Sequence, residues 1–388
     1  MNLELSQKQK KALDDILDWY KKKDTQYITL GGYAGTGKTT LMGYLSNILR
    51  KDKSKIKIAF CSYTGKASRV LQRKLRDTKS IYAYDYTGTI HRLIYRPVLN
   101  DDGEIIDWER MPINEFRYDL IIVDEASMVT EDIWDDLLSF GKPILAVGDH
   151  GQLPPVEGNF NLMERPQFKL EEIYRQELDN PIIKISEIAR KYGNIPVEEF
   201  SKTVKKLDKK NPETGEYLED ILEQYDNDMM VLTGYNNSRI RLNKGIRQLL
   251  DFDSVEPTSG DRVICLKNNH EKEIYNGMMG TVLDIAKNSV GDLEFFDVEI
   301  EFDDEDYPYI GKISKDQFNK ENSFNSLNDG FDLFDFGYAL TVHKAQGSQS
   351  KRVIVFEERF RQMNDDMWRR WLYTAVTRAM EELYIVGE

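Results

Sequence analysis

The stretch that most constrains this chain is Tyr27-Ile28-Thr29-Leu30, followed by Gly31-Gly32-Tyr33-Ala34-Gly35-Thr36-Gly37-Lys38-Thr39-Thr40. Leu41, Met42, Leu45, Ile48 and Leu49 then recur at helical spacing, so the order is strand, glycine loop, helix. Gly32, four residues, then Gly37-Lys38-Thr39 satisfies the P-loop spacing in the context that pattern requires. Glycines allow backbone N–H groups to turn inward around phosphate oxygens, and the helix N-terminus adds its positive end. Gly32, Gly35, Thr36, Gly37, Lys38, Thr39 and Thr40 would form the cradle, with Lys38 on the β/γ-phosphates and Thr39 on a Mg²⁺ ion. A glycine turn that holds no ligand is the alternative, and the flanking strand and helix weigh against it.

Two further segments fit this one. Asp119-Leu120-Ile121-Ile122-Val123 reads as a buried parallel strand that delivers Asp124-Glu125-Ala126-Ser127 at its C-terminal end, where ligands of open α/β sheets bind. An acidic pair after a strand is by itself more often a helix cap. Beside a P-loop, Asp124 is expected in the Mg²⁺ shell, and Glu125 is expected to orient and deprotonate an attacking water. Pro143-Ile144-Leu145-Ala146-Val147 is a third such strand, leading to Gly148-Asp149-His150-Gly151-Gln152-Leu153-Pro154-Pro155-Val156. Gln152 is placed to sense the γ-phosphate or its water, and the prolines stiffen the loop.

Composition fits a globular chain of two or three domains: 388 residues, 40% apolar and 31% charged, with 17 Phe, 21 Tyr and 5 Trp. No run approaches the 18 or so apolar residues of a membrane span, and no apolar segment follows the lysines near Met1, so a cytoplasmic setting is expected. Two cysteines, Cys61 and Cys265, do not make a disulfide framework, and neither has partners at zinc spacing. The net charge is −14, yet residues 50–79 hold eleven Lys/Arg against two Asp, or +9, which leaves −23 elsewhere. Such a patch fits either phosphate contacts or a solvated helix face.

Taken together, these motifs resemble the RecD-like and phage Dda-like helicases of superfamily 1B. Leu5-Ser6-Gln7-Lys8-Gln9 resembles the Q-motif, which implies that Gln9 reads adenine. Ser62-Tyr63-Thr64-Gly65-Lys66-Ala67-Ser68 resembles motif Ia, and Thr89-Ile90-His91-Arg92-Leu93 the family's Thr-Ile-His segment, which places Thr64, Lys66 and His91 on a DNA track. Asp124-Glu125 corresponds to motif II, and Gly148-Asp149 with Gln152 to motif III. Glu172-Ile173-Tyr174-Arg175-Gln176 is similar to motif IV and Tyr373-Thr374-Ala375-Val376-Thr377-Arg378-Ala379 to motif VI, so the resemblance implies that Arg175 and Arg378 reach the γ-phosphate. Leu340-Thr341-Val342-His343-Lys344-Ala345-Gln346-Gly347-Ser348 is similar to motif V, which assigns Thr341 and His343 to DNA and Gly347 to the nucleotide side. Without that motif, His343 reads as a structural histidine. Gln349 stands where many relatives carry an acid.

The resemblance implies an α/β fold of two RecA-like P-loop domains, at 1–176 and 177–388. Residues 94–99 and 104–108 read as short strands around Asn100-Asp101-Asp102-Gly103, a hairpin signal. The family implies a duplex-splitting pin at about 95–117, with Pro97 and Trp108 offering a face to a base pair; an ordinary surface hairpin is the alternative. Residues 178–227 read as helical and charged, with Lys202 to Lys210 a solvated helix or loop. At about 255–335 an antiparallel insertion is expected, since Val298, Ile300 and Phe302 alternate with Asp297, Glu299 and Glu301. It resembles the family's SH3-like module.

The activity implied is ATP-dependent, Mg²⁺-dependent 5′ to 3′ translocation on single-stranded DNA with duplex unwinding, ATP being hydrolysed between the two domains. The expected partners are single-stranded DNA and its junctions with duplex, the expected state is a monomer, and the length suggests few accessory domains and no nuclease. The alternatives are a translocase that strips proteins without separating strands, a nucleotide-gated switch, and, least favoured, a small-molecule P-loop kinase.

Overall fold

The computed structural model describes residues 5–99, 105–155, 160–172, 180–269, 271–272, 274–291, 293–303, 305, 307–321 and 330–388. Residues 100–103 of the hairpin turn, Val156, and Arg175 with most of its motif lie outside the described residues, as does the side chain of Lys66. The chain divides into two compact units, 1–183 and 184–388.

The first unit contains α1 (Gln7–Lys22), β1 (Tyr27–Gly32), α2 (Lys38–Asp52), β2 (Ile58–Ser62), α3 (Gly65–Asp77), β3 (Tyr86–Thr89), α4 (Ile90–Ile94), β4 (Tyr95–Leu99), β5 (Ile105–Arg110), β6 (Leu120–Asp124), α5 (Glu131–Leu138), β7 (Ile144–Gly148) and β8 (Phe168–Leu170). Six of the strands form an all-parallel sheet in the order β3-β2-β6-β7-β1-β8. Successive side chains leave a strand on opposite faces, and here both faces are apolar. Leu30, Phe60, Ile122 and Leu145 pack on one side with Leu13 and Ile16 of α1 and Leu41 and Leu45 of α2. Cys61, Ile121, Val123 and Ala146 pack on the other with Leu93 of α4 and Ile133 and Trp134 of α5. This is the architecture that puts a ligand site at the C-terminal ends of the strands.

β4 and β5 form a separate antiparallel hairpin in which Pro97 lies directly opposite Trp108. Asp136 of α5 holds its base, accepting from the Tyr95 hydroxyl and, at 3.2 Å, from Arg110 Nη1.

The second unit contains α6 (Pro181–Tyr192), β9 (Glu199–Ser201), β10 (Val204–Asp208), α7 (Pro212–Leu222), β11 (Met229–Thr233), α8 (Asn236–Leu249), β12 (Arg262–Cys265), β13 (Met279–Val290), β14 (Leu293–Phe302), β15 (Tyr309–Ser314), β16 (Phe334–Phe336), β17 (Ala339–Thr341), β18 (Ser350–Phe356), α9 (Asp365–Val376) and β19 (Ala379–Gly387). One sheet runs β17-β11-β18-β19-β10-β9, parallel except for β9. A second, antiparallel sheet runs β15-β14-β13-β12-β16 and occupies the expected insertion.

Residues 202–210 differ from the solvated helix or loop that the lysines suggest. They contain β10, paired in parallel with β19. Val204 is fully buried, and Lys206 Nζ is buried in an ion pair with Glu357 at 2.6 Å, with a second bond to the Glu388 carbonyl at 2.9 Å. A lysine that finds a carboxylate 151 residues away can enter a sheet, and nothing local announces it. Arg378 lies just past α9, in the turn before β19.

Candidate functional site

β1 hands the chain to α2 through the glycine loop, and the loop's backbone explains its composition. Gly35 and Gly37 have φ of 75° and 79°, where a side chain is strained. A Cβ at Gly37 would stand 2.5 Å from Gln9 Nε2, and one at Gly32 would stand 2.6 Å from Thr36 Oγ1. Gln9 is buried and serves two structures at once. Its Oε1 accepts from Ser6 N–H at 2.9 Å in the capping box of α1, and its Nε2 donates to the Thr36 carbonyl of the loop at 3.0 Å. Lys38 Nζ donates to the carbonyls of Gly32 at 2.6 Å and Tyr33 at 3.0 Å. Thr39 and Thr40 follow it in the first turn of α2.

β6 is two strands away from β1, with β7 between them. It ends at Asp124, whose carboxyl is held above the usual carboxylate range by burial and then by Glu125, while Lys38 and Lys74 oppose the shift. Glu125 adopts left-handed backbone, φ 52° and ψ 40°, which is uncommon for a residue with a side chain. Its Oε2 is buried with no hydrogen-bond partner among the described residues. A carboxylate oxygen buried without a donor is costly and marks a place where a ligand or water is accommodated.

Gly148 at the end of β7 backs onto Ser127, where a Cβ would lie 3.1 Å from the Ser127 nitrogen. Beyond it Asp149 Oδ1 accepts from Gly151 N–H at 2.9 Å, and Gln152 Nε2 lies 3.5 Å from Asp149 Oδ2. The structure therefore brings Gln9, the glycine loop, Asp124, Glu125 and Gln152 to the ends of three neighbouring strands. It also adds a residue given no role from the sequence: His150 packs on Tyr33 of the loop, with ring centroids 4.2 Å apart. Burial, with Lys169 and Lys38 adding and Asp149 and Glu171 opposing, pushes the imidazole down to about 4.

The residues tied to DNA by resemblance fall into separate groups. Thr64 follows β2 and caps α3 by accepting from Ala67 N–H at 3.3 Å. His91 lies in the first turn of α4, which follows β3, and its ring lies 6.1 Å from that of Tyr63, so Thr64 and His91 share one end of two adjacent strands. Pro97 and Trp108 face each other on the hairpin. In the second unit, Thr341 ends β17 and its Oγ1 accepts from Lys344 N–H at 3.4 Å. His343 lies in the same turn, its pKa lowered by burial. Gly347 has φ 73°. Arg378 is 3% exposed and turned inward, donating to the carbonyls of Thr374 at 3.0 Å and Ser348 at 3.1 Å and to Thr377 Oγ1 at 3.2 Å.

A family model described as an AAA domain matches residues 4–209, and one described as a UvrD-like helicase C-terminal domain matches residues 336–386. The ATP-dependent RecD2 DNA helicase of Deinococcus radiodurans is 28% identical over 99% of this chain, which spans about half, 49%, of that protein's length. The ATP-dependent DNA helicase Dda of Enterobacteria phage T4 is 28% identical over 45% of the chain and 38% of its own. Among solved structures, the Pif1 helicase from Bacteroides in complex with ADP-AlF3 and ssDNA aligns with a TM-score of 0.54 at 18% identity, over 99% of this chain and 92% of that one. That likeness concerns the fold.

Proposed function

Because the chain belongs to the AAA domain family and to the RecD-like and Dda-like helicases of superfamily 1B, we propose that it is an ATP-dependent DNA helicase that moves 5′ to 3′ on single-stranded DNA and separates duplex. The observation that carries the reading is the meeting of the glycine loop, the buried Glu125 carboxylate, whose Oε2 has no partner among the described residues, and Gln152 at the ends of β1, β6 and β7. A phosphate cradle alone would serve a switch; a positioned base beside it serves hydrolysis.

Gln9 holds the loop from behind and offers its remaining amide proton toward adenine. Lys38 exchanges the carbonyls of Gly32 and Tyr33 for phosphate oxygens. The oxygens of Thr39 and Asp124 are hard ligands of the kind Mg²⁺ takes, and the ion, when bound, neutralises charge on the phosphates. Glu125 accepts the proton of the attacking water, and Gln152 orients that water. We assign Arg175 and Arg378 to the γ-phosphate; Arg378 takes that role by releasing the Ser348 carbonyl, which couples it to the turn carrying Thr341 and His343. Thr64, Lys66 and His91 in the first unit and Thr341 and His343 in the second would grip the strand in alternation as the nucleotide state changes.

We read the units as two RecA-like domains, the hairpin as the duplex-splitting pin with Pro97 and Trp108 at its working face, and the antiparallel sheet as the SH3-like insertion. The protein would act as a monomer in the cytoplasm. The test is strand separation on duplexes with a 5′ or a 3′ overhang in the presence of ATP and Mg²⁺. Unwinding from the 5′ overhang alone is expected; unwinding from the 3′ overhang alone would overturn the polarity. DNA-stimulated turnover without unwinding from either would favour the protein-stripping translocase.

A further inference from the structure

At the strand ends opposite the glycine loop, where the chain enters β2 and β3, the first unit exposes two tyrosines and several lysines. Tyr82 and Tyr84 are 41% and 37% exposed, and their rings lie nearly parallel, at 26° with centroids 6.0 Å apart. They rest on a buried support. The Arg50 guanidinium lies 4.2 Å from the centroid of the Tyr82 ring and donates to both oxygens of Asp85, one at 2.6 Å. Asp85 also accepts from Ile58 N–H at 3.0 Å and Tyr82 N–H at 2.9 Å, and both charged side chains are nearly inaccessible. Tyr84 Oη donates to the Ser54 carbonyl at 2.6 Å, and Ser46 Oγ donates to the Ser80 carbonyl at 2.6 Å, so the loops after α2 and α3 lie side by side.

Lys55 and Lys79, on the same two loops, and Lys51, in the last turn of α2, are exposed and make no ion pair with a described residue. They belong to the segment 50–79 that carries +9 in a chain of net −14. Burying an Arg–Asp pair is expensive, and what this one achieves is to fix two exposed aromatic faces. Preorganised aromatic faces beside mobile cations are what binds single-stranded nucleic acid without sequence preference, bases stacking and phosphates pairing.

We propose that Tyr82 and Tyr84, with Lys51, Lys55 and Lys79, form a second single-strand binding site on the first unit, separate from the track at the opposite ends of the strands. It rests on the reading of this protein as a single-strand DNA enzyme. The site takes a strand that the track does not hold, or a distal part of the strand that it does.

The experiment uses the full chain, the variant Y82A/Y84A and the charge variant K51E/K55E/K79E, which alters only exposed side chains. Titration with fluorescent dT8, an oligonucleotide within the length of about 4 to 16 nucleotides that one such site takes, should give two octamers per wild-type chain and one per chain of either variant. ATP turnover stimulated by that remaining octamer should equal wild type. Affinity for dT40, which is long enough to engage both sites, should fall at least about five-fold in either variant. Its salt dependence should weaken by about two log units per log unit of salt in the charge variant. One octamer per wild-type chain, or two retained by the charge variant, overturns the proposal while leaving the track. Absence of any binding to the wild type overturns both readings together.

Discussion

Glu125 is held in left-handed backbone with a buried carboxylate oxygen that no described group satisfies. Left-handed backbone and a buried oxygen without a described partner coincide at this residue, and the proposed catalytic role rests there. Glu125→Gln keeps the shape and removes the base; ATP turnover should drop about 10²- to 10⁴-fold with nucleotide affinity unchanged, measured by steady-state hydrolysis and nucleotide titration. Retained turnover would take the base role from Glu125. His150 makes a different prediction. Its folded pKa is pushed down to about 4 from near 6.5, so between those values the unfolded chain holds a proton that the folded chain lacks. Stability from this residue is therefore full at neutral pH and lost as pH falls through that window. The melting temperature of wild type should fall more between pH 7.5 and pH 5 than that of His150→Gln; equal falls would mean the imidazole is not held neutral.

At the scale of elements, the Asp136 carboxylate braces the base of the hairpin of β4 and β5. Asp136→Ala removes the acceptor of both Tyr95 and Arg110, at a cost of about 1 to 3 kcal/mol. Strand separation should suffer well beyond ATP turnover, and a proportional loss of both would make the hairpin a mere brace. Strands buried on two faces were among the most legible in the sequence: β1, β6 and β7 are nearly continuous apolar runs. β3, Tyr86-Thr87-Gly88-Thr89, and β8, Phe168-Lys169-Leu170, are short and lie at the sheet's edges, so neither shows a period to read. β10 was hidden by its lysines, because Lys206 is neutralised by a residue remote in sequence. The site divides in the same way. The glycine loop and the acids at the strand end are local patterns with a local mechanism, and they were legible. The inward turn of Arg378, the dual bonding of Gln9 and the contact of His150 with Tyr33 depend on where distant segments meet, and no spacing encodes them.

Over the whole molecule, each unit has a core of its own, and the proposed roles are shared out between them: cradle and base in the first, Thr341, His343 and Arg378 in the second. Under the proposed function, the turn where the Ser348 carbonyl holds Arg378 would link DNA contact at Thr341 and His343 to ATP turnover. The account therefore stands or falls on coupling. The most direct measurement is steady-state ATP turnover by the full chain with and without single-stranded DNA, in the same buffer with Mg²⁺. Turnover that is slow alone and rises at least about ten-fold with DNA is the predicted result. Turnover that is the same in both would contradict it.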